Sequence, residues 1–282
     1  MYMTTRRQFL ATTATALATS ALTRAAKLKT VGVQLYTIRS VLPQKPEETL
    51  KAIYALGYRE IEATYANFDK IWPAVQASGL KPVSMHLDNK MVMGGGDALA
   101  KAVDSLKKYG FQYAVHPYVA AEDRGGPDVM KALAGKLNTL GELCKKAGMQ
   151  AAYHNHAFEF AKAGDQTLFD ILMTNTDKKL VAIEADLFWV SVAGLDPVEF
   201  LKQHKGRVPL VHLKDKAQGT EQRFNESVPR TTFKEVGNGT LDFAAILKAA
   251  PGAGVKHYFV EQDQTPGDPI ESLKQSWEYL AK

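Results

Sequence analysis

The feature that most constrains this chain is a junction that recurs along it. Helical text runs into a glycine, one residue follows, usually apolar or aromatic, and a short strand-like stretch begins. The instances are LGYREIEA (56–63), SGLKPVSMH (78–86), YGFQYAVH (109–116), AGMQAAYH (147–154) and AGVKHYFVE (253–261). Glycine can end a helix in the left-handed conformation without the Cβ clash that other residues suffer. Repeated junctions of this kind require repeated helix-to-strand switches, the mark of alternating α and β units.

Reading the remaining sequence in the same way places strands near 31–37, 58–63, 81–87, 112–117, 149–156, 180–186, 208–214 and 256–262. Helical text separates them, for example PEETLKAIYAL (46–56), GDALAKAVDSLKKY (96–109) and PDVMKALAGKLNTLGELCKKA (127–147). In the last, the spacing of Val129, Met130, Leu133, Leu137, Leu140, Leu143 and Cys144 fits one buried helix face. Eight strand–helix pairs between residues 27 and 282 match the size of a closed (β/α)8 TIM barrel. An open doubly wound sheet is the competitor, but GVQLYTIRS (32–40) holds a single glycine where a dinucleotide-binding turn would need three. KAQGTEQRFNESVPRT (216–231) has no periodicity and reads as a long loop, a kind of segment that often carries function.

The first 26 residues have a different character. TTRRQFL (4–10) holds an arginine pair, and ATTATALATSAL (11–22) is mildly apolar and small. A positive flank, an apolar middle and small residues before a cleavage point after Ala25 make an export signal, and the paired arginines resemble the twin-arginine type. The expected organisation is therefore a signal over 1–26 and one catalytic domain over 27–282, with the mature protein periplasmic or otherwise exported. Whole-chain charge is +5, from 35 Lys/Arg against 30 Asp/Glu. Arg6, Arg7 and Arg24 belong to residues 1–25, which carry no acid, so 32 basic residues face 30 acidic ones in the remainder. That balance is no footprint for nucleic acid. No apolar run approaches the ~20 residues a lipid-embedded helix needs, so no stable membrane insertion is expected once the signal is removed. The single cysteine, Cys144, excludes an intrachain disulfide and reads as a small packed residue.

In such a barrel the chemistry sits at the C-terminal ends of the strands. Those ends carry Gln34 and Tyr36, then Glu62, His86 and His116, then His154 and His156 followed by Glu159, then Glu184 and Asp186, then His212 and Lys214, and last Glu261 and Asp263. Only His204 and His257 among the histidines fall elsewhere, and both read as surface residues. Any one of these polar residues is more often a hydrogen-bonded core residue than a ligand. Their accumulation is different, because several carboxylates in a dry barrel mouth strongly disfavour their own charge. A divalent cation relieves that repulsion, and imidazole with carboxylate is an ordinary ligand set.

GVQLYTIR, YHNHAFEF, IEADLFWVSVAGLDPVEFLKQHKGRVPLVHLKDK, EVGNGTLDF and GVKHYFVEQD together resemble the exported branch of the sugar phosphate isomerase/epimerase family, with its xylose isomerase-like barrel. The resemblance implies one divalent metal ion (Mn2+, Zn2+, Co2+ or Mg2+) held by Asp186, His212, Glu261 and a strand-five residue. Relatives carry a glutamate inside that strand where this chain has His154. Either His154 takes the place or Glu159 reaches in, and Glu159 is the expected ligand. The resemblance also implies proton transfer beside a carbonyl through an enediolate. Glu159 and Glu261 would act as the two bases, with His156 and Lys214 as further catalytic groups. Gln34, Tyr36, Glu62, His86, His116, His154 and Trp189 would bind substrate. The reaction expected is isomerisation or epimerisation of a non-phosphorylated keto-sugar, since no Arg cluster or glycine-rich phosphate loop is present. The alternatives are a lyase or dehydratase acting on keto-sugars or 3-keto-glycosides, a sugar-binding barrel without catalysis, and a multi-zinc phosphodiesterase, which the modest charge disfavours. The partner expected is a small sugar, with homo-oligomer formation left open.

Overall fold

The structure, a computed structural model, describes residues 28–281, so the expected export signal over 1–26 lies outside the described residues. Eight parallel strands close into a barrel in sequence order: β1 Gly32–Gln34, β2 Glu60–Thr64, β3 Lys81–His86, β4 Tyr113–His116, β5 Gln150–His154, β6 Val181–Asp186, β7 Leu210–Leu213 and β8 His257–Val260. Seven fall within two residues of the stretches expected for them, while β1 ends three residues early because Leu35–Ile38 turns as a 3-10 helix; the TIM barrel is the observed fold. The main outer helices are α1 Pro46–Leu56, α2 Phe68–Ser78, α3 Gly96–Tyr109, α4 Pro127–Ala147, α5 Leu168–Thr174, α6 Pro197–Gln203, α7 Phe243–Ala253 and α8 Pro269–Ala281. Among the described residues, no helix is long and apolar enough to cross a membrane.

The junction glycines perform as their pattern requires. Gly57, Gly79, Gly110, Gly148 and Gly254 all have positive φ, from 76° to 121°. Gly57 is doubly constrained, because a Cβ there would also run into the indole of Trp277.

Two apolar layers hold the barrel together. The larger lies between strands and helices and includes Cys144, fully buried, with burial pushing its thiol up to about 12. The smaller fills the barrel interior with Val83, Tyr113, Val115, Ala152, Ala182, Leu210 and Phe259. Gly32 leaves room for the Phe259 ring, which a Cβ would strike. His257 belongs to this end and is not a free surface residue: its Nδ1 lies 2.9 Å from Glu60 Oε2, and its ring stacks on Phe259. His204, likewise expected at the surface, is half-buried against Phe169 and Phe200.

The apolar plug leaves the other end of the barrel for polar groups. The 216–231 loop runs across that region and is better anchored than its composition suggested. Asp215–Lys216 pairs with Phe233–Lys234 in an antiparallel ribbon, and Glu226 takes an ion pair of 2.8 Å from Arg124.

Candidate metal centre

Alternation along each strand decides which polar side chains reach the barrel interior. On β7 His212 faces inward, and so does Lys214 two residues on. On β6 Glu184 and Asp186 share the inner face, and on β5 His154 follows Ala152. His86 faces inward because the β2–β3 register shifts by one at Ile61/Glu62, which changes the parity of β3 after Val83. A bulge of this kind re-aims a side chain at a functional rim.

Two clusters of donors result, and they share His212. Asp186, His212 and Glu261 form one; His86, His154, Glu184 and His212 form the other. In each, one ligand atom per residue lies within 4.8 Å of all the others. His212 Nδ1 is 2.9 Å from Glu261 Oε2 and 3.8 Å from Asp186 Oδ2. His154 Nε2 is 3.5 Å from the same Asp186 oxygen. Lys214 closes this first cluster, with its ammonium 2.8 Å from Asp186 Oδ2, 2.6 Å from Glu261 Oε2 and 2.8 Å from Asp263 Oδ1.

The electrostatics follow from burial and from these neighbours. Burial opposes the charge on Lys214, but Asp186, Asp263 and Glu261 outweigh it and raise its pKa well above the usual lysine value. Burial also opposes ionisation of Glu261, yet Lys214 and His212 hold it well below the carboxylate range. Burial raises Asp186 and pushes Asp263 up to about 6. His154 and His156 are kept neutral, chiefly by burial. Carboxylates already gathered around a buried ammonium are a place that favours positive charge. Asp186, Glu261 and His212 fit a divalent cation by donor chemistry and spacing, and His154 Nε2 lies beside the same Asp186 oxygen.

Above this floor opens a cleft of about 330 Å³, lined by His86, His154, His156, Lys214, Glu261 and Asp263 and by Tyr36, Thr64, Tyr65, Asp88 and Tyr118. Of the residues expected to contact substrate, Tyr36, His86, His154, His156 and Lys214 line it. Gln34 and Glu62 lie fully buried behind His86 instead. Trp189 is 2% exposed and packs against His156 and Phe233, so it supports the wall and offers no face for stacking.

Two expected site residues sit outside the barrel wall. Glu159 accepts a hydrogen bond from the Tyr153 hydroxyl (2.6 Å) and from the His156 backbone N–H (3.0 Å), and it joins neither donor cluster. His154, the alternative for that place, does join one of the clusters, with His86, Glu184 and His212. Burial pushes the Glu159 carboxyl up to about 7. His116 follows the inward Val115 and so points to the helix layer. Its ring stacks on Tyr153 (5.8 Å between centroids), its Nε2 bonds Asn89 Oδ1 (3.0 Å), and burial pushes its pKa down to about 4. Sequence reasoning placed Glu184 and Asp263 at strand ends without giving them a role. It passed over Asp88, Tyr65 and Tyr118, which follow strands β2 to β4 in loops that carry no periodic signal.

A family model described as the xylose isomerase-like TIM barrel matches residues 50–282. An inosose dehydratase of Geobacillus thermodenitrificans is 32% identical over 156 residues, 51% of each chain. The chain thus spans about half the length of the curated relatives it matches. A sugar phosphate isomerase/epimerase from Parabacteroides distasonis superposes with a TM-score of 0.74 at 23% identity, covering 92% of this chain and 97% of that one. The IOLI protein, solved with a zinc atom, has a TM-score of 0.68 at 17% identity, over 89% of this chain and 96% of that one. These two likenesses are to the fold.

Proposed function

The chain belongs to the xylose isomerase-like TIM barrel family, and from that premise we propose that it is a divalent-cation-dependent dehydratase of a non-phosphorylated keto-sugar or keto-polyol. The observation that carries this reading is the convergence of Asp186, His212, Glu261 and Lys214 beneath an open cleft. Asp186, His212, Glu261 and His154 would hold the cation. When bound, it polarises a substrate carbonyl and offsets the negative charge that grows on its oxygen.

The chain's own residues supply the proton chemistry. Asp263 faces the cleft, and its carboxyl, pushed up to about 6 by burial, is matched to proton removal near neutral pH. Glu261, held strongly ionised, suits a ligand better than a base. Asp263 takes the proton from the carbon beside the carbonyl. The C–H electron pair becomes the C=C bond of an enediolate, which Lys214 steadies with the N–H that it releases from Asp263 once that carboxylate is protonated. Collapse of the enediolate expels the β-hydroxyl, which leaves as water with the proton that Asp263 removed. Among the described residues Lys214 is the one cation lining the cleft, and it already has three carboxylate partners, with Asp88 also on the lining; this supports a neutral substrate over a phosphorylated one. The half-length likeness to inosose dehydratase supports water loss. The arginine pair and apolar stretch of residues 1–26 support action after export.

Epimerisation or isomerisation is the second reading. It is favoured by the neutral imidazole of His156, which lines the same cleft and can return a proton to another face of the enediolate. Incubating the cation-loaded protein in D2O with inososes, free ketoses and 3-keto-glycosides, followed by NMR, separates the two. Loss of water supports the dehydratase. Deuterium at one carbon with all hydroxyls kept supports the second reading. Neither outcome on any member, with each of Mn2+, Zn2+, Co2+ and Mg2+, overturns both.

A further inference from the structure

We propose that Glu62 and Glu184 are positioning residues that hold His212 and His154 with one nitrogen turned toward the cation, and that the barrel consequently takes one ion and not two. The inference rests on the cation-site reading above and goes beyond it, because the second donor cluster, taken by itself, looks like another cation site.

Both imidazoles bridge the same two environments. His212 turns Nδ1 to Glu261 and Asp186, while its Nε2 lies 2.6 Å from Glu62 Oε1. His154 turns Nε2 to Asp186, while its Nδ1 lies 3.0 Å from Glu184 Oε2. A neutral imidazole has one N–H and one lone pair. Without a cation, His212 Nδ1 also donates to Glu261 Oε2 (2.9 Å). With a cation beside Asp186 and Glu261, that proton is given up, each remaining N–H is donated to the buried carboxylate, and each lone pair is left for the cation. Carboxylates placed in this way fix the tautomer and raise the basicity of a ligating histidine.

The proton on His86 can be assigned from its neighbours. The Tyr36 backbone N–H donates to Gln34 Oε1 (3.0 Å), which fixes the Gln34 amide. The Gln34 NH2 group therefore faces inward, donating to Glu62 Oε1 (2.8 Å) and lying 3.2 Å from His86 Nδ1. An NH2 group has no lone pair to offer, so His86 Nδ1 is the acceptor and the ring proton sits on Nε2. That nitrogen lies 2.9 Å from Glu62 Oε1 and 2.8 Å from Glu184 Oε2. His86 thus spans both carboxylates with its single N–H and presents no lone pair to a cation. Gln34, Glu62, His86 and Glu184 form a shelf under the two ligating imidazoles.

The test begins with metal content after equilibration with Zn2+. One equivalent per chain is expected, and His86→Phe should leave the count at one. Glu62→Leu and Glu184→Leu, which remove the acceptor, should weaken Zn2+ in chelator competition by about 10–100-fold. Both should shift the visible absorption of the Co2+ form. Glu62→Gln and Glu184→Gln, which keep an acceptor oxygen, should recover part of the loss. Should the leucine variants fail to fold, 15N-histidine NMR of the wild-type Zn2+ form decides, with His212 protonated on Nε2 and His154 on Nδ1. Two equivalents in the wild type, the opposite tautomers, or unchanged affinity and spectrum in both leucine variants would overturn the proposal. A wild-type protein that binds no Zn2+ would instead end the cation-site reading beneath it.

Discussion

His154 and His116 each close a barrel strand and each is buried, yet one faces the barrel axis and the other faces the helix layer. His154 meets Glu184 and Asp186 there, while His116 meets Asn89 and the Tyr153 ring. Glu261 and Glu159 repeat the contrast. The first lies beside His212 and Lys214, and the second spends both oxygens on Tyr153 and a backbone N–H. Burial is nearly the same on the two sides of the wall, so burial does not make the site. What differs is company. Inner-face groups are crowded with others of their kind and must share protons or a cation, whereas each outer-face group finds its own neutral partner.

The contrast can be broken most severely at Asp186. Asp186→Ala should abolish stoichiometric divalent-cation binding, measured by metal analysis, whereas Glu159→Gln should leave one ion per chain. Equal loss in both variants would erase the distinction between the faces. Lys214→Met comes next. It strands Asp186, Glu261 and Asp263 without their buried ammonium, and breaking such a pair costs about 3–5 kcal/mol. Urea denaturation in chelator should show that loss, and adding divalent cation should recover more stability in the variant than in the wild type.

His116 sharpens the outer side. Its folded pKa of about 4 lies below the ordinary value of 6.5, so the unfolded chain binds the extra proton more readily between those limits. Stability contributed by the neutral ring is therefore present above about pH 6.5 and is lost on acidification toward pH 4. The loss is on the order of 3 kcal/mol. His116→Gln, which keeps a donor for Asn89, should flatten that part of the pH–stability curve. The smallest effect belongs to Tyr153→Phe. Removing the hydroxyl bonded to Glu159 should cost about 1–3 kcal/mol of stability and leave cation stoichiometry unchanged.

The barrel was legible because its punctuation is local. A glycine that must end a helix is visible whatever packs around it, and the eight strands followed from the spacing of such signals. Most of the inner-face set was also legible, since Glu184 with Asp186 and His212 with Lys214 are spaced two apart on strands. Facing itself was harder to read. Both sides of a parallel barrel strand are buried, so its text lacks the apolar–polar alternation that would set parity. YAVH and SMH look alike, and only the register shift beside Glu62 turns His86 inward while His116 stays out. The surroundings of Glu159 were hard to read for a related reason: beyond β5 the chain leaves the strand, and the turn that carries its carboxylate back to Tyr153 has no periodic signature. Gln34 and Glu62 were assigned to substrate because sequence cannot tell the lining of a cleft from the layer beneath it.

The most direct test is a crystal structure of the Zn2+-loaded protein with the ion located by anomalous scattering. The account requires a single ion about 2.0–2.2 Å from Asp186, His212, Glu261 and His154. An ion bound through Glu159, or one that touches neither Asp186 nor Glu261, would contradict it.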